Sequence, residues 1–131
     1  MALTTFDTLD EGTTPIYSTV LKDENGVALT GLPFTGVRLS YYSTLTGTII
    51  NSRTNQNILN ANNVTIDGAG LLKWKLQEAD VVLTDGATVP SVVRCRAEIV
   101  IEWLDADSVP RQIAHDLEIP IRRLVKRPFA P

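Results

Sequence analysis

The sequence predicts an all-β fold, an antiparallel β-sandwich of seven or eight short strands with an extended arm at each end. Two observations carry this prediction: several segments alternate between apolar and polar residues, as half-buried strands do, and turn signals separate them at intervals of roughly 8–12 residues. The 131 residues, of which 44% are hydrophobic and 21% charged, fit a single globular domain. We therefore assign residues 1–14 to an N-terminal arm, 15–121 to the sandwich and 122–131 to a basic C-terminal arm.

Three segments alternate most regularly and predict the main strands, namely 36–42, 71–76 and 92–103. In each of them every second side chain is apolar, so one face of the strand is suited to a buried core. Trp74 and Trp103 fall on these apolar faces. We therefore expect both tryptophans to pack in the core rather than to form an exposed platform for a sugar.

Four further segments complete the predicted sandwich. The remaining strands are expected at 15–22, 46–52, 64–67 and 111–121, the last as the antiparallel return of 92–103. A single helical turn is expected at 77–80. Between the strands, Arg53–Asn63 is mostly polar and contains five asparagines, so we expect an exposed loop that could contact a partner.

No residue pattern in the chain points to catalysis or to a metal. The only histidine, His115, is expected to pack on an apolar strand face with one hydrogen bond, and Cys95 to behave as a small buried hydrophobe. Asp105 and Asp107 lack the later glycine and the distal glutamate of a calcium loop, and are typical of a hairpin turn. A single cysteine excludes both an intrachain disulfide and a four-thiolate zinc site. We therefore expect no enzyme activity, no cofactor and no metal site.

Charge and hydropathy exclude further classes. The net charge of −3 argues against a general nucleic-acid binder, which needs positive charge to displace counterions from phosphates. No apolar run approaches the length of about 18 residues that predicts a membrane helix. The first residues, MALTTFDTLDEGTT, have neither the basic nor the apolar region of a signal peptide, so we expect synthesis in the cytosol.

The N-terminal arm is a candidate partner-binding segment. It is acidic and shows little periodicity, which is typical either of a frayed terminus or of an arm that orders on a neighbouring subunit. In the second case Leu3 and Phe6 are the expected anchors.

The C-terminal arm supplies the other candidate partner-binding residues, which are Arg122, Arg123, Lys126, Arg127 and Phe129. Three explanations of the basic cluster stay open: a solvated terminus, a contact with nucleic acid, and docking onto an acidic protein surface. Arginine suits the third, because its guanidinium pairs bidentately with carboxylates. A head-to-tail contact between copies is one form that such docking could take.

A series of turn and strand motifs runs from Gly12 to Ile121. Leu21–Gly26 and Leu29–Gly31 form a Leu-Lys-Asp-x-x-Gly…Leu-Thr-Gly opening, and an Asp-x-x-Gly turn at Asp67 leads into a strand. Together with the long strand Arg94–Glu102, these motifs resemble the N-terminal immunoglobulin-like domain of bacteriophage baseplate upper proteins. The chain departs from that family at 94–96, where the family usually has a tyrosine.

The resemblance implies an immunoglobulin-like sandwich and a non-catalytic structural protein of a phage virion, made in the host cytoplasm. We expect it to act as an adaptor in the tail or baseplate, or as a decoration protein on the capsid. Its expected partners are other virion proteins and copies of itself, and no membrane. A second hypothesis is a carbohydrate- or receptor-binding module, in which exposed Tyr42 and the loop Arg53–Asn63 would bind the ligand.

Overall fold

The computed structural model describes residues 4–31, 34–83 and 91–123. Within these ranges the chain is all-β and forms two sheets from nine strands. The strands are β1 (Thr4–Thr5), β2 (Leu9–Asp10), β3 (Ile16–Val20), β4 (Phe34–Ser43), β5 (Gln56–Asn57), β6 (Val64–Ile66), β7 (Leu71–Lys75), β8 (Val92–Leu104) and β9 (Pro110–Arg122). The predicted helical turn is confirmed as a 3₁₀ turn at Glu78–Val81.

The larger sheet has the strand order β1-β9-β8-β4-β5, and β2 also pairs with β9. The smaller sheet has the order β3-β7-β6. All pairings are antiparallel except those of β1 and β2, which run parallel to β9. The strand count exceeds the predicted seven or eight because β1, β2 and β5 have two residues each, too few to leave a period in the sequence.

The core lies between the two sheets and is built by the predicted alternation. In β4, Val37, Leu39 and Tyr41 are completely buried, and the matching face of β8 is buried along its whole length. Trp74 and Trp103 are 1% and 4% exposed, so the prediction that both are core residues is confirmed. The alternation therefore predicted which side chains hold the sheets together.

The hairpin of β8 and β9 is the largest element, with 13 residues in each strand. Its turn is held by Asp105, whose Oδ1 accepts hydrogen bonds from the amides of Asp107 and Val109, each at 2.9 Å. The predicted turn-forming role is thus confirmed for Asp105.

The strand predicted at 46–52 is wrong. This segment is a turn that makes a single bridge, between Tyr42 and Ile49. Asn51 and Ser52 have φ values of 53° and 56°, which are incompatible with extended strand pairing. The β-branched residues of the segment had indicated a strand, but the local turn chemistry prevails.

The prediction that the loop Arg53–Asn63 is exposed is also wrong in part. Arg53 and Ile58 are each only 1% exposed, and Gln56–Asn57 forms β5 against β4. Four of the loop's asparagines have positive φ, namely Asn55, Asn60, Asn62 and Asn63. Asparagine tolerates this region better than most residues do, so the loop follows a tight and specific path over the sandwich.

Candidate partner-binding groove

The candidate residues of the two arms have different positions relative to the described structure. Leu3 lies outside the described residues, as do the C-terminal candidates Lys126, Arg127 and Phe129. Phe6, Arg122 and Arg123 lie within them.

Phe6 packs against its own domain. Its ring meets that of Tyr17 edge to face, with centroids 4.8 Å apart, and its amide donates to the Glu118 carbonyl at 2.8 Å. Phe6 is one of the half-buried residues that cover the core. The described part of the N-terminal arm therefore forms an edge of the larger sheet, because its main-chain N–H and C=O groups form hydrogen bonds with β9 in parallel pairing.

Arg122 is also paired within the chain. Its Nε donates to Asp10 Oδ1 at 2.6 Å, between side chains that are 58% and 42% exposed. This hydrogen bond lowers the pKa of the Asp10 carboxyl below its ordinary 3.8. The neighbouring Arg123 donates its amide to the Ser91 carbonyl at 2.7 Å. The end of β9 is thus fixed to both β2 and the start of β8.

Tyr42, the residue expected to be an exposed aromatic, is half-buried on the outer face of the larger sheet. Its hydroxyl donates to Glu98 Oε1 at 3.4 Å. Desolvation by burial, followed by the nearby Glu98 carboxylate, raises the pKa of this phenol. Tyr42 is therefore engaged with the sheet rather than presented as a stacking platform.

A feature that the sequence did not reveal is an open groove of about 1020 Å³ between the edges of the two sheets. Its walls come from β3, from β9 and from the turn that follows β3. The lining residues are Thr4, Thr19, Val20, Lys22, Asp23, Glu24, Gly26 and the segment 112–115.

The groove exists because two strand edges are left uncovered among the described residues. β1 pairs with β9 only at Leu117 and Glu118, so the described strands leave the outer edge of 110–116 open. β3 pairs with β7 on one side and with no described strand on the other. Uncovered strand edges present unpaired N–H and C=O groups, which favour pairing with another extended segment.

The orientation of the β3 main chain follows from its pairing with β7. Leu21 donates its amide to the Gly70 carbonyl at 2.8 Å, so the odd-numbered residues of β3 face β7. The N–H and C=O groups of Ile16, Ser18 and Val20 then point towards the open edge. Two of these three side chains are exposed and apolar, Ile16 at 60% and Val20 at 40%.

The floor of the groove is formed by His115 and its neighbours on the inner face of β9. His115 Nε2 lies 3.3 Å from the Tyr17 hydroxyl, a hydrogen bond that joins the two sheets. Burial lowers the pKa of His115 below its ordinary 6.5, and burial likewise raises the pKa of Tyr17. His115 thus has the predicted position on the apolar face, next to half-buried Ile113.

Two other stretches of sheet edge in the described part of the chain carry residues that oppose strand addition. On β6, the Ile66 amide donates to Asn60 Oδ1 at 2.8 Å instead of to a strand. On β9, Pro120 lies between the positions paired with β1 and β2 and has no N–H to offer. The contrast with these protected edges makes the open side of β3 the best candidate for partner binding.

Within the described ranges, no cluster of three or more His, Cys, Asp or Glu side chains could hold a metal ion. The same residues include no helix that is both long and apolar enough to span a membrane. No family model, no curated protein and no solved structure matches this chain.

Proposed function

We propose that this protein is a non-catalytic assembly module that binds a neighbouring protein chain by strand addition at the open edge of β3. The observation that carries the proposal is the combination of outward main-chain groups at Ile16, Ser18 and Val20 with a groove that borders the end of this strand at Thr19 and Val20. In strand addition, main-chain hydrogen bonds supply affinity and alternate side chains enter pockets that supply specificity. The groove floor at Ile113 and His115 would receive the alternate side chains of the added strand.

The strand order supports an immunoglobulin-like topology for the sandwich. The order β3-β7-β6 corresponds to strands B-E-D of that fold, and β9-β8-β4-β5 corresponds to G-F-C-C′. In that scheme strand A pairs with strand B. Here residues 4–10 pair with β9 instead, so the place of strand A beside β3 is open to an extended segment from a partner.

We further propose that the module is a structural protein of a phage virion, either a tail or baseplate adaptor or a capsid decoration protein. The resemblance of Gly12–Ile121 to the domains of phage baseplate upper proteins supports this placement. Rigid sandwiches that bind neighbours through strand edges suit such a role, because symmetric particles repeat one contact many times.

The test uses particles isolated from the host that makes this protein. After density-gradient purification, we expect the chain to co-sediment with the particles at a fixed ratio to a major particle protein. Val20→Lys, which places a charge on the open edge, should abolish incorporation. Val109→Lys is the matched control, because Val109 is 45% exposed on the β8–β9 turn and does not line the groove. Absence of the wild-type chain from particles would contradict the virion role, and normal incorporation of Val20→Lys would contradict strand addition at β3.

A further inference from the structure

The formal charge of the chain is divided unequally between its body and its C-terminal segment. Four of the twelve basic residues lie at 122–127, and none of the fifteen acidic residues lies beyond position 121. Residues 1–121 therefore carry a formal charge of −7 and residues 122–131 carry +4. Such a separation favours contact between the end of one copy and the body of another.

The rim of the groove is the acidic surface that this contact would use. Asp23 and Glu24 lie on the turn after β3, with Lys22 as the one basic residue of the lining. Asp23 Oδ1 accepts the amides of Asn25 and Val27 at 2.9 Å and 3.0 Å, which holds the turn beside the groove. Glu24 is exposed on the same turn.

We propose that the groove receives residues 124–131 of a second copy of this chain, as an added strand along β3. This inference rests on the proposed strand-addition function and names its partner. The apolar residues of the segment LVKRPFAP would pack against Val20 and Ile113. Its Lys126 and Arg127 would form ion pairs with the carboxylates of the rim. Its prolines are compatible with this position, because an added strand is itself an edge strand and tolerates missing N–H groups on its solvent side.

The geometry favours a second copy over the same copy as the source of the segment. β9 carries the chain away from the groove, from Ala114 to Arg123, a path of about 30 Å at the usual rise of a strand. Residues 124–131 of the same copy would have to reverse direction, and eight fully extended residues span at most about 29 Å, so none of them would be left to pair along β3. The segment of a neighbouring copy has no such restriction.

The experiment is a complementation test with full-length variants, measured by size-exclusion chromatography with light scattering. One variant carries Lys126→Glu and Arg127→Glu in the C-terminal segment; the other carries Val20→Lys in the groove. The wild type and the Val109→Lys control should associate beyond the 14.4 kDa of one chain, and 1 M NaCl should weaken this association. Each of the two variants alone should be monomeric. Their equimolar mixture should form an assembly again, because one intact segment then meets one intact groove.

A strictly monomeric wild type would overturn the inference, and so would a mixture that stays monomeric although thermal melts show both variants to be folded. If Val20→Lys destabilises the domain, Glu24→Lys on the exposed turn replaces it as the groove variant and should also reduce self-association. A monomeric wild type whose incorporation into particles is still lost with Val20→Lys would refute only the self-association and leave the proposed function standing. Self-association without particle incorporation would refute the virion role and leave the groove contact standing.

Discussion

The Arg53 guanidinium and the Asp80 carboxylate form a bidentate ion pair inside the protein, with Nε–Oδ1 and Nη2–Oδ2 distances of 2.5 Å and 3.0 Å. The side chains are 1% and 0% exposed. The Asp80 carbonyl also accepts the Tyr41 hydroxyl at 2.9 Å, and the guanidinium lies 5.4 Å from the centre of the Trp74 ring. The pair therefore ties the loop after β4 to the 3₁₀ turn after β7, across the two sheets.

Removing one partner of this pair should destabilise the fold strongly. In Arg53→Met the Asp80 carboxylate would remain buried without its counter-charge, and we expect a loss of about 3–5 kcal/mol in the free energy of unfolding. Urea denaturation followed by tryptophan fluorescence measures this loss. The control is Arg38→Met, which removes an exposed ion pair with a distance of 3.9 Å between Arg38 Nε and Glu102 Oε1. This substitution should lower the free energy of unfolding by less than about 1 kcal/mol. Equal effects of the two substitutions would refute the special role of the buried pair.

Phe6 should act as the anchor of the N-terminal arm on its own domain. Phe6→Ala removes a half-buried ring and its contact with Tyr17, and we expect a loss of about 2 kcal/mol in stability. Hydrogen exchange provides the more specific readout, since the Phe6 amide loses protection when β1 detaches from β9. Val109→Ala, on an exposed turn, should leave both stability and exchange unchanged. Unaltered protection of the Phe6 amide in Phe6→Ala would show that main-chain pairing alone holds the arm.

The groove histidine should make stability depend on pH in a defined direction. Because burial lowers the pKa of His115 below 6.5, the folded state favours the neutral ring more than the unfolded state does. Its stabilising contribution is then fully present above pH 6.5 and is lost as the pH falls from 6.5 through the folded-state pKa. An NMR titration of the ring protons should give a pKa below 6.5, and His115→Gln should remove this part of the pH dependence. A titration midpoint at or above 6.5 would contradict the burial of the ring.

The main strands could be predicted because their physical cause is local. Burial on one face of a strand favours an apolar residue at every second position, and this period runs through β4 from Val37 to Tyr41, through β7 and through β8. The turns at Asp105 and at 77–80 could be predicted equally well, since both depend on interactions between residues that are close in the sequence. The error at 46–52 has a local cause as well: its β-branched residues suggested a strand, whereas the positive φ of Asn51 and Ser52 imposes a turn.

The loop Arg53–Asn63 shows where local patterns no longer suffice. Its polar composition predicted exposure, yet Arg53 is buried because its partner Asp80 lies 27 residues away in the sequence. A charged residue is buried only when such a partner exists, and the sequence does not display the pairing. The asparagines were the one available signal, since their tolerance of positive φ is consistent with a compact loop.

The sequence by itself determined the all-β class, the inward faces of the long strands and the unequal charge of body and C-terminal segment, because these are set by residue identity and by a period of two. Only the tertiary structure shows that Phe6 and Arg122 each contact other residues of their own chain. It also shows that β3 and the first half of β9 leave an open groove at His115. A strand edge is open where no other strand pairs with it, and strand pairing depends on the arrangement of the whole chain in space. The groove therefore became visible only when both sheets were in place.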